Sequence, residues 1–275
     1  MMDYFKKSKN ILDKIKNIKK SKKDYKFVMC KNCKKLHTEE ELVKDYYICP
    51  KCNEYMYMPY KDRLNMIFDN YKIIDINIEY NNPIDFPGYK EVLEKNREKT
   101  GLKESVIVAK GEIKNNPCYV FILDPAFLMG SMGRNTGHII AKVFNMANKD
   151  NLPVVSFSAS GGARMQEGIF SLVQMANTVF ALNEHGEKNL YISVLTNPTY
   201  GGVSASFASL GDIVIAEKNA KIGFTGQRVI EQTIRKQLPK DFQSADFQME
   251  HGFIDEVVDR KLLKDYIGKL LEYHR

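Results

Sequence analysis

The sequence predicts an α/β fold with a small metal-binding ribbon ahead of it, and three observations lead there. From Ile139 onward, strand-like apolar runs alternate with segments of helical periodicity. One unit (a strand, a short turn of small and polar residues, a Gly-Gly pair and a helix) occurs twice. Four of the five cysteines form two C-x2-C motifs near the N-terminus.

The ribbon comes first along the chain. Cys30 and Cys33 in "CKNC" and Cys49 and Cys52 in "CPKC" are separated by 15 residues, and two such knuckles can direct four thiolates to one tetrahedral zinc ion. No ligand position is left for water, so the expected metal is structural. Two disulfides or a redox C-x-x-C are the weighed alternatives, set against a reducing compartment and the lack of a thioredoxin-like context. His37 lies inside the ribbon, but four cysteines make a histidine ligand unnecessary.

After the ribbon, "PYKDRLNMIFDN" predicts a helix from near Pro59, and "GYKEVLEKNREKTG" another ending before Gly101. "SVIVAKGEI" and "CYVFILD" flank the turn signal "KNNP" and predict a hairpin, with Cys118 as a small core residue. "HIIAKVFNMANKD" is helical and "LPVVSFSAS" a strand. Met165, Ile169, Leu172, Val173, Ala176, Val179 and Phe180 then mark the apolar face of a helix. In the second unit "LYISVLTNPT" is a strand, "GGVSASFASLG" enters a small-residue helix, and "DIVIAE" and "KIGF" return as strands.

The glycine pairs are where chemistry is expected. Helix N-termini leave N–H groups unpaired and favour negative charge, and glycine lets a ligand approach the backbone closely. Gly161-Gly162 and Gly201-Gly202, on successive units, would stabilise one developing oxyanion with main-chain groups alone. Close helix-on-strand packing is the competing explanation for either pair. Other site classes fit poorly. The chain has no G-x-x-x-x-G-K-[ST], no G-x-G-x-x-G between strand and helix, and no G-x-S-x-G around Ser160. His138, His185 and His251 stand apart from other ligands and carboxylates and are expected as helix or loop residues.

The net charge of +7 belongs to one end. Of 41 basic and 34 acidic residues, 13 Lys and three Asp fall within residues 1–35, which leaves 28 and 31 for the rest. The arm is read either as a contact for phosphates or an acidic partner, or as a solvated tail in which Ile11, Ile15 and Ile18 suggest a short amphipathic helix. No apolar run approaches the roughly 20 residues that span a bilayer. A soluble, intracellular protein without membrane contact is expected.

The ribbon, "GSMG" at Gly130 to Gly133, "FSASGGARMQEG", "SVLTNPTYGGVSASFASLGD", "IGFTGQRVIEQT" and "LPKDFQSADFQMEHGFID" together resemble the β subunits of the carboxyltransferase component of bacterial-type acetyl-CoA carboxylase, from about Met29 to nearly the C-terminus. The resemblance implies a zinc ribbon before a crotonase-like ββα spiral, with a basic arm at 1–25, the ribbon at 26–58 and the carboxyltransferase domain at 59–275. It further implies transfer of a carboxyl group from carboxybiotin, borne on the biotin carboxyl carrier protein, to acetyl-CoA, giving malonyl-CoA for fatty acid synthesis. The active site would be shared with an α subunit, in an α2β2 heterotetramer that works with biotin carboxylase, in the cytoplasm or a plastid stroma. Biotin would supply the base that the sequence lacks, leaving the chain to hold two reactants in register and stabilise enolate and ureido oxygens.

On this reading Gly161, Gly162, Gly201 and Gly202 take the catalytic role. Arg164, Arg228, Gly130 and Gly133 take substrate-binding ones, each arginine being weighed also as an ion-pair residue. Met129 stands where the family usually has glycine and Pro125 where it has an aromatic, which puts backbone contacts around Met129 in question. Two other functions are carried alongside. A zinc-ribbon nucleic-acid binder would use the basic arm. A crotonase-like hydratase or hydrolase would need a side-chain base, for which Glu167 is the only candidate carboxylate in the first motif, read as a helix-face residue.

Overall fold

The computed structural model describes residues 26–79, 82–186 and 189–275. The basic arm, with Ile11, Ile15 and Ile18, lies outside them. The chain divides into two compact units, 1–56 and 57–275.

In the first unit, β1 (Phe27–Met29) pairs antiparallel with β2 (Leu36–Thr38), and α1 (Glu39–Lys44) follows. Thr38 and Glu41 cap that helix reciprocally, each side chain taking the other's backbone N–H. The two cysteine knuckles share one hydrogen-bond plan. Cys30 N–H donates to Lys35 O while Lys34 N–H returns to Cys30 O, and Cys49, Glu54 and Asn53 repeat the pattern. Lys34 and Asn53 adopt positive φ at equivalent points.

The second unit is built on a sheet of seven strands among the described residues, in sequence order. The strands are β3 (Asn70–Ile73), β4 (Val106–Ile113), β5 (Asn116–Leu123), β6 (Val154–Ser160), β7 (Tyr191–Thr199), β8 (Ile213–Glu217) and β9 (Glu256–Val258). The first three are antiparallel and β5 to β9 parallel. Ile113 opposite Asn116 leaves a two-residue hairpin loop, and Lys114 and Asn115 both take the positive φ such a turn requires.

Alternation along β5 distributes the core. Tyr119, Phe121 and Leu123 pack towards α4 (Arg134–Asp150) and α5 (Ile169–Gly186), while Cys118, Val120 and Ile122 pack towards α2 (Tyr60–Ile67) and α9 (Leu263–Tyr273). Phe121 meets Phe144 and Phe207 edge-on, and a buried phenylalanine of this kind contributes about 3–5 kcal/mol against alanine.

Beyond the C-terminal ends of the parallel strands the chain makes a second set of short pairings. Met132 bridges Ala163, Ser160 bridges Thr199, Thr199 bridges Ile222 and Lys221 bridges Ser244. Each turn of chain thus runs strand, bridge, helix, and hands on to the next. This is the crotonase-like spiral, and its bridging layer stacks both glycine turns side by side.

Three sequence expectations change. "KIGF" makes isolated bridges at Lys221 and Ile222 instead of a strand. "GGVSASFASLG" forms one helical turn, α6 (Gly201–Ser204), followed by a 3-10 turn at Phe207–Ser209. The third concerns α5, whose apolar stripe faces outward: Ile169, Leu172, Val173 and Phe180 are exposed, as is Met165 in a preceding 3-10 turn, with Phe180 at 68% and Met165 at 74%. The inward face carries Ser171, Gln174 and Thr178, because α5 lies so close to α4 that a Cβ on Gly137 would sit 2.5 Å from Gln174 Cβ. Thr178 Oγ1 donates to Gln174 O and Asn177 to Gln174 Oε1, so these polar groups are satisfied within the helix.

A buried triad ties the far end of the sheet to its flanks. Glu217, ending β8, accepts from Arg63 of α2 at 2.7 Å and from Arg260 at 2.7 and 2.9 Å. Burial pushes this carboxyl up, but the two guanidinium charges outweigh it and hold it down at about 2, against an ordinary 4.5. A depressed carboxyl contributes stability that is present above its unfolded pKa and lost as pH falls through the folded one. Unfolding free energy should therefore drop by about 3 kcal/mol from this group as pH falls from 4.5 to 2. Denaturant titrations across that range should show Glu217→Gln with a correspondingly flatter pH profile and lower stability at pH 7.

Candidate active site

The glycine turns sit at the ends of β6 and β7 and touch. A Cβ on Gly162 would lie 3.0 Å from Gly201 Cα and 3.2 Å from Gly202 N, and both Gly162 (φ 108°) and Gly201 (φ 62°) are in the left-handed region that disfavours a side chain. Ser160 Oγ accepts from Gly162 N–H at 3.0 Å and so shapes the turn.

Hydrogen bonding narrows the amide assignment made from sequence. Gly161 N–H donates to Met129 O, Gly162 N–H to Ser160 Oγ and Gly201 N–H to Phe224 O, at 2.8 to 3.0 Å. Among the described residues, Ala163 N–H has no acceptor. Gly202, second in the four-residue α6, is among the donors that a helix start leaves without an intrahelical partner. The N–H groups left without an acceptor at the two touching turns, among the described residues, are therefore those of Ala163 and Gly202. Sequence reasoning missed Ala163 because an alanine amide carries no compositional signal.

The helix-dipole argument also changes. Gly161-Gly162 precedes a bridge and a 3-10 turn, with α5 starting only at Ile169, and α6 is a single turn with little macrodipole. What the glycines supply is close packing and access. Gly202 lacks a Cβ that would meet Met175 Sδ at 3.0 Å, so this position packs against α5. Gly161 differs from the others. It is exposed, its φ is not positive, and an added Cβ would meet nothing closer than 3.8 Å. The fold does not require glycine there.

Gly130 and Gly133, expected to bind substrate, are buried packing positions. A Cβ on Gly130 would overlap Ala159 O at 2.0 Å, and one on Gly133 would meet Glu167 Oε1 at 2.6 Å and Arg164 Nη1 at 2.8 Å. Arg164, expected to meet a substrate anion, is 1% exposed. Its guanidinium binds both Glu104 oxygens, Ser131 O, Tyr89 Oη and Glu167. Burial draws the Arg164 pKa down, but Glu104 more than reverses this and leaves it above the ordinary value. Burial likewise lifts Glu104, and Arg164 brings it back below the usual carboxylate range.

Glu167 is not on a helix face. It is buried in a 3-10 turn, accepting from Tyr89 Oη and from Arg134 N–H. Met129 is exposed with φ 57°, after Leu128 at φ 45°. Its carbonyl makes the internal bond to Gly161 already described. Arg228 is exposed and makes no ion pair among the described residues. His185 is buried against Phe144, its pKa lowered by burial, while His138 and His251 are exposed.

In the ribbon the four cysteine sulfurs lie within 4.8 Å of one another, with Cys30–Cys52 and Cys33–Cys49 at 3.7 Å. Sulfurs about 2.3 Å from a tetrahedral zinc would be about 3.8 Å apart, so the cluster fits such an ion. His37 Nε2 lies 3.3 Å from Cys49 Sγ, a hydrogen-bonding neighbour outside the cluster.

Residues 73–266, which hold β4 to β9 and both glycine turns, match the family described as the carboxyl transferase domain. The second unit is thus a carboxyl transferase scaffold. The chain is 47% identical over 277 residues to acetyl-coenzyme A carboxylase carboxyl transferase subunit beta of Carboxydothermus hydrogenoformans, covering 100% of this chain and 99% of the relative. It is 46% identical over 249 residues to the subunits beta/alpha protein of Natranaerobius thermophilus, covering 90% of this chain and 41% of that one. The chain belongs to the family of acetyl-coenzyme A carboxylase carboxyl transferase β subunits. Among solved structures, a transcarboxylase 12S chain superposes with a TM-score of 0.68 at 23% identity, covering 85% of this chain and 43% of that one. A Pseudomonas malonate decarboxylase MdcD-MdcE hetero-dimer chain gives 0.61 at 21%, covering 79% and 86%. These two likenesses concern the fold.

The two arginines should separate cleanly. Removing one partner of a buried pair leaves an uncompensated charge, so Arg164→Ala should lower unfolding free energy by about 3–5 kcal/mol. Arg228→Ala, on the surface, should change it by less than about 0.5 kcal/mol. Urea unfolding of both variants measures this.

Proposed function

We propose that this chain carries the acyl-thioester half of a carboxyltransferase site that makes malonyl-CoA from acetyl-CoA in the cytoplasm. The observation that carries it is Gly161, a glycine the fold does not need, beside the Ala163 and Gly202 amides, which have no acceptor among the described residues. A Cβ at 161 would stand where the thioester approaches. The two N–H groups would take the thioester oxygen as it gains negative charge, a stabilisation worth about 2.7–4 kcal/mol per donor in comparable sites. Carboxybiotin, delivered on its carrier protein, would supply both the carboxyl group and the base. The chain's own residues then orient the thioester and hold its oxygen, and Ser160, engaged in its turn, forms no acyl intermediate.

The outward apolar face of α5 supports a half-site. Met165, Ile169, Leu172, Val173 and Phe180 form an exposed stripe, and large apolar faces of this kind belong to interfaces. We assign its cover to a carboxyltransferase α subunit, because a 46%-identical relative is named as both subunits in one chain. Arg228 is the arginine left to meet a CoA phosphate or another anion. Zinc in the Cys30, Cys33, Cys49 and Cys52 cluster would hold the ribbon together without taking part in the reaction.

Gly161→Ala, in the complex with the α subunit, should fold with an unchanged melting temperature and lose about 100-fold or more in kcat/KM for acetyl-CoA. Near-normal turnover would overturn the site assignment. The chain alone should be almost inactive, and full activity without a partner would contradict the half-site. Metal analysis should find one zinc per chain, released by acid as the thiolates take up protons, with the sheet retaining its circular dichroism.

A further inference from the structure

We infer that Met129 sets the upper size limit of the acyl group this site accepts. The inference rests on the thioester meeting the backbone at Gly161. Three observations converge on the residue. Leu128 and Met129 both hold positive φ, at 45° and 57°, a conformation that non-glycine residues adopt at a cost and that persists where surrounding structure or function maintains it. The Met129 side chain is 67% exposed, so core packing does not account for a long apolar residue in that conformation.

The third observation is placement. A methyl group at Gly161 would lie 3.8 Å from Met129 Cβ and 3.9 Å from its Cε, so the thioether lies along Gly161 instead of projecting away. Gly161 N–H, bonded to Met129 O at 3.0 Å, fixes that relation through the backbone. A molecule that approaches Gly161 from this side touches the Met129 methyl. The acetyl methyl fits beside it, and a longer acyl chain meets the thioether.

Apolar walls discriminate modestly. One methylene in such a pocket changes kcat/KM by roughly 10- to 200-fold. Met129→Gly opens the wall and also suits a positive φ, so loss of selectivity is expected without loss of folding. Met129→Leu keeps a side chain of similar bulk.

The test measures kcat/KM for acetyl-CoA and propionyl-CoA in the complex with the α subunit, for wild type, Met129→Gly, Met129→Leu and Gly161→Ala. The expected result is a rise of about tenfold or more in the propionyl-to-acetyl ratio for Met129→Gly, a ratio within about threefold of wild type for Met129→Leu, and melting temperatures no lower than wild type for Met129→Gly. An unchanged ratio in Met129→Gly, with Gly161→Ala inactive, overturns the role of Met129 and leaves the thioester site standing. Full activity in Gly161→Ala overturns the thioester site itself, and the Met129 inference with it.

Discussion

The contact of Gly162 with Gly201 is the constraint on which the site depends. A Cβ on either glycine would lie 3.0 Å from the other's Cα, and both take φ values that a side chain would oppose. Because of that contact, Ala163 at the end of one turn of the spiral lies against Gly202 at the start of the next. The two N–H groups without acceptors among the described residues thus sit on adjoining turns through packing alone.

Rigidity around this contact comes from below. Arg164 joins Glu104, Glu167, Tyr89 and Ser131, and Met132 is bonded to both Gly162 and Arg164 through the backbone. The loop after β5 and the loop after β6 are therefore held as one piece. A site that works by pre-positioned amides needs such support, since donors that must reorganise during the reaction lose their advantage over water. The missing Cβ atoms of Gly130 and Gly133 belong to the same support: one admits the Ala159 carbonyl and the other the Glu167 carboxylate.

Much of this could be read from sequence, for identifiable reasons. The β4–β5 hairpin, the alternating strands and helices and the four-cysteine cluster follow from local patterns that tertiary context does not override. Gly161, Gly162, Gly201 and Gly202 were legible as a pair of equivalent turns. Their separate roles were not, because those depend on which N–H is consumed by Met129, Ser160 or Phe224, all long-range or turn-specific partners. Arg164 read as an anion-binding residue since its partner Glu104 is 60 residues away. The stripe on α5 was visible as a period, but periodicity does not say whether the protein's own core or another chain covers it.

The central claim is that main-chain donors at Ala163 and Gly202 hold the thioester oxygen. The most direct measurement is an experimental structure of the complex with the α subunit, bound to an unreactive acetyl-CoA analogue. The account predicts the carbonyl oxygen at roughly 2.7–3.1 Å from both Ala163 N and Gly202 N, with no atom of Ser160 in reach of the carbonyl carbon. A carbonyl oxygen held by side chains elsewhere, with both amides facing solvent, would contradict it.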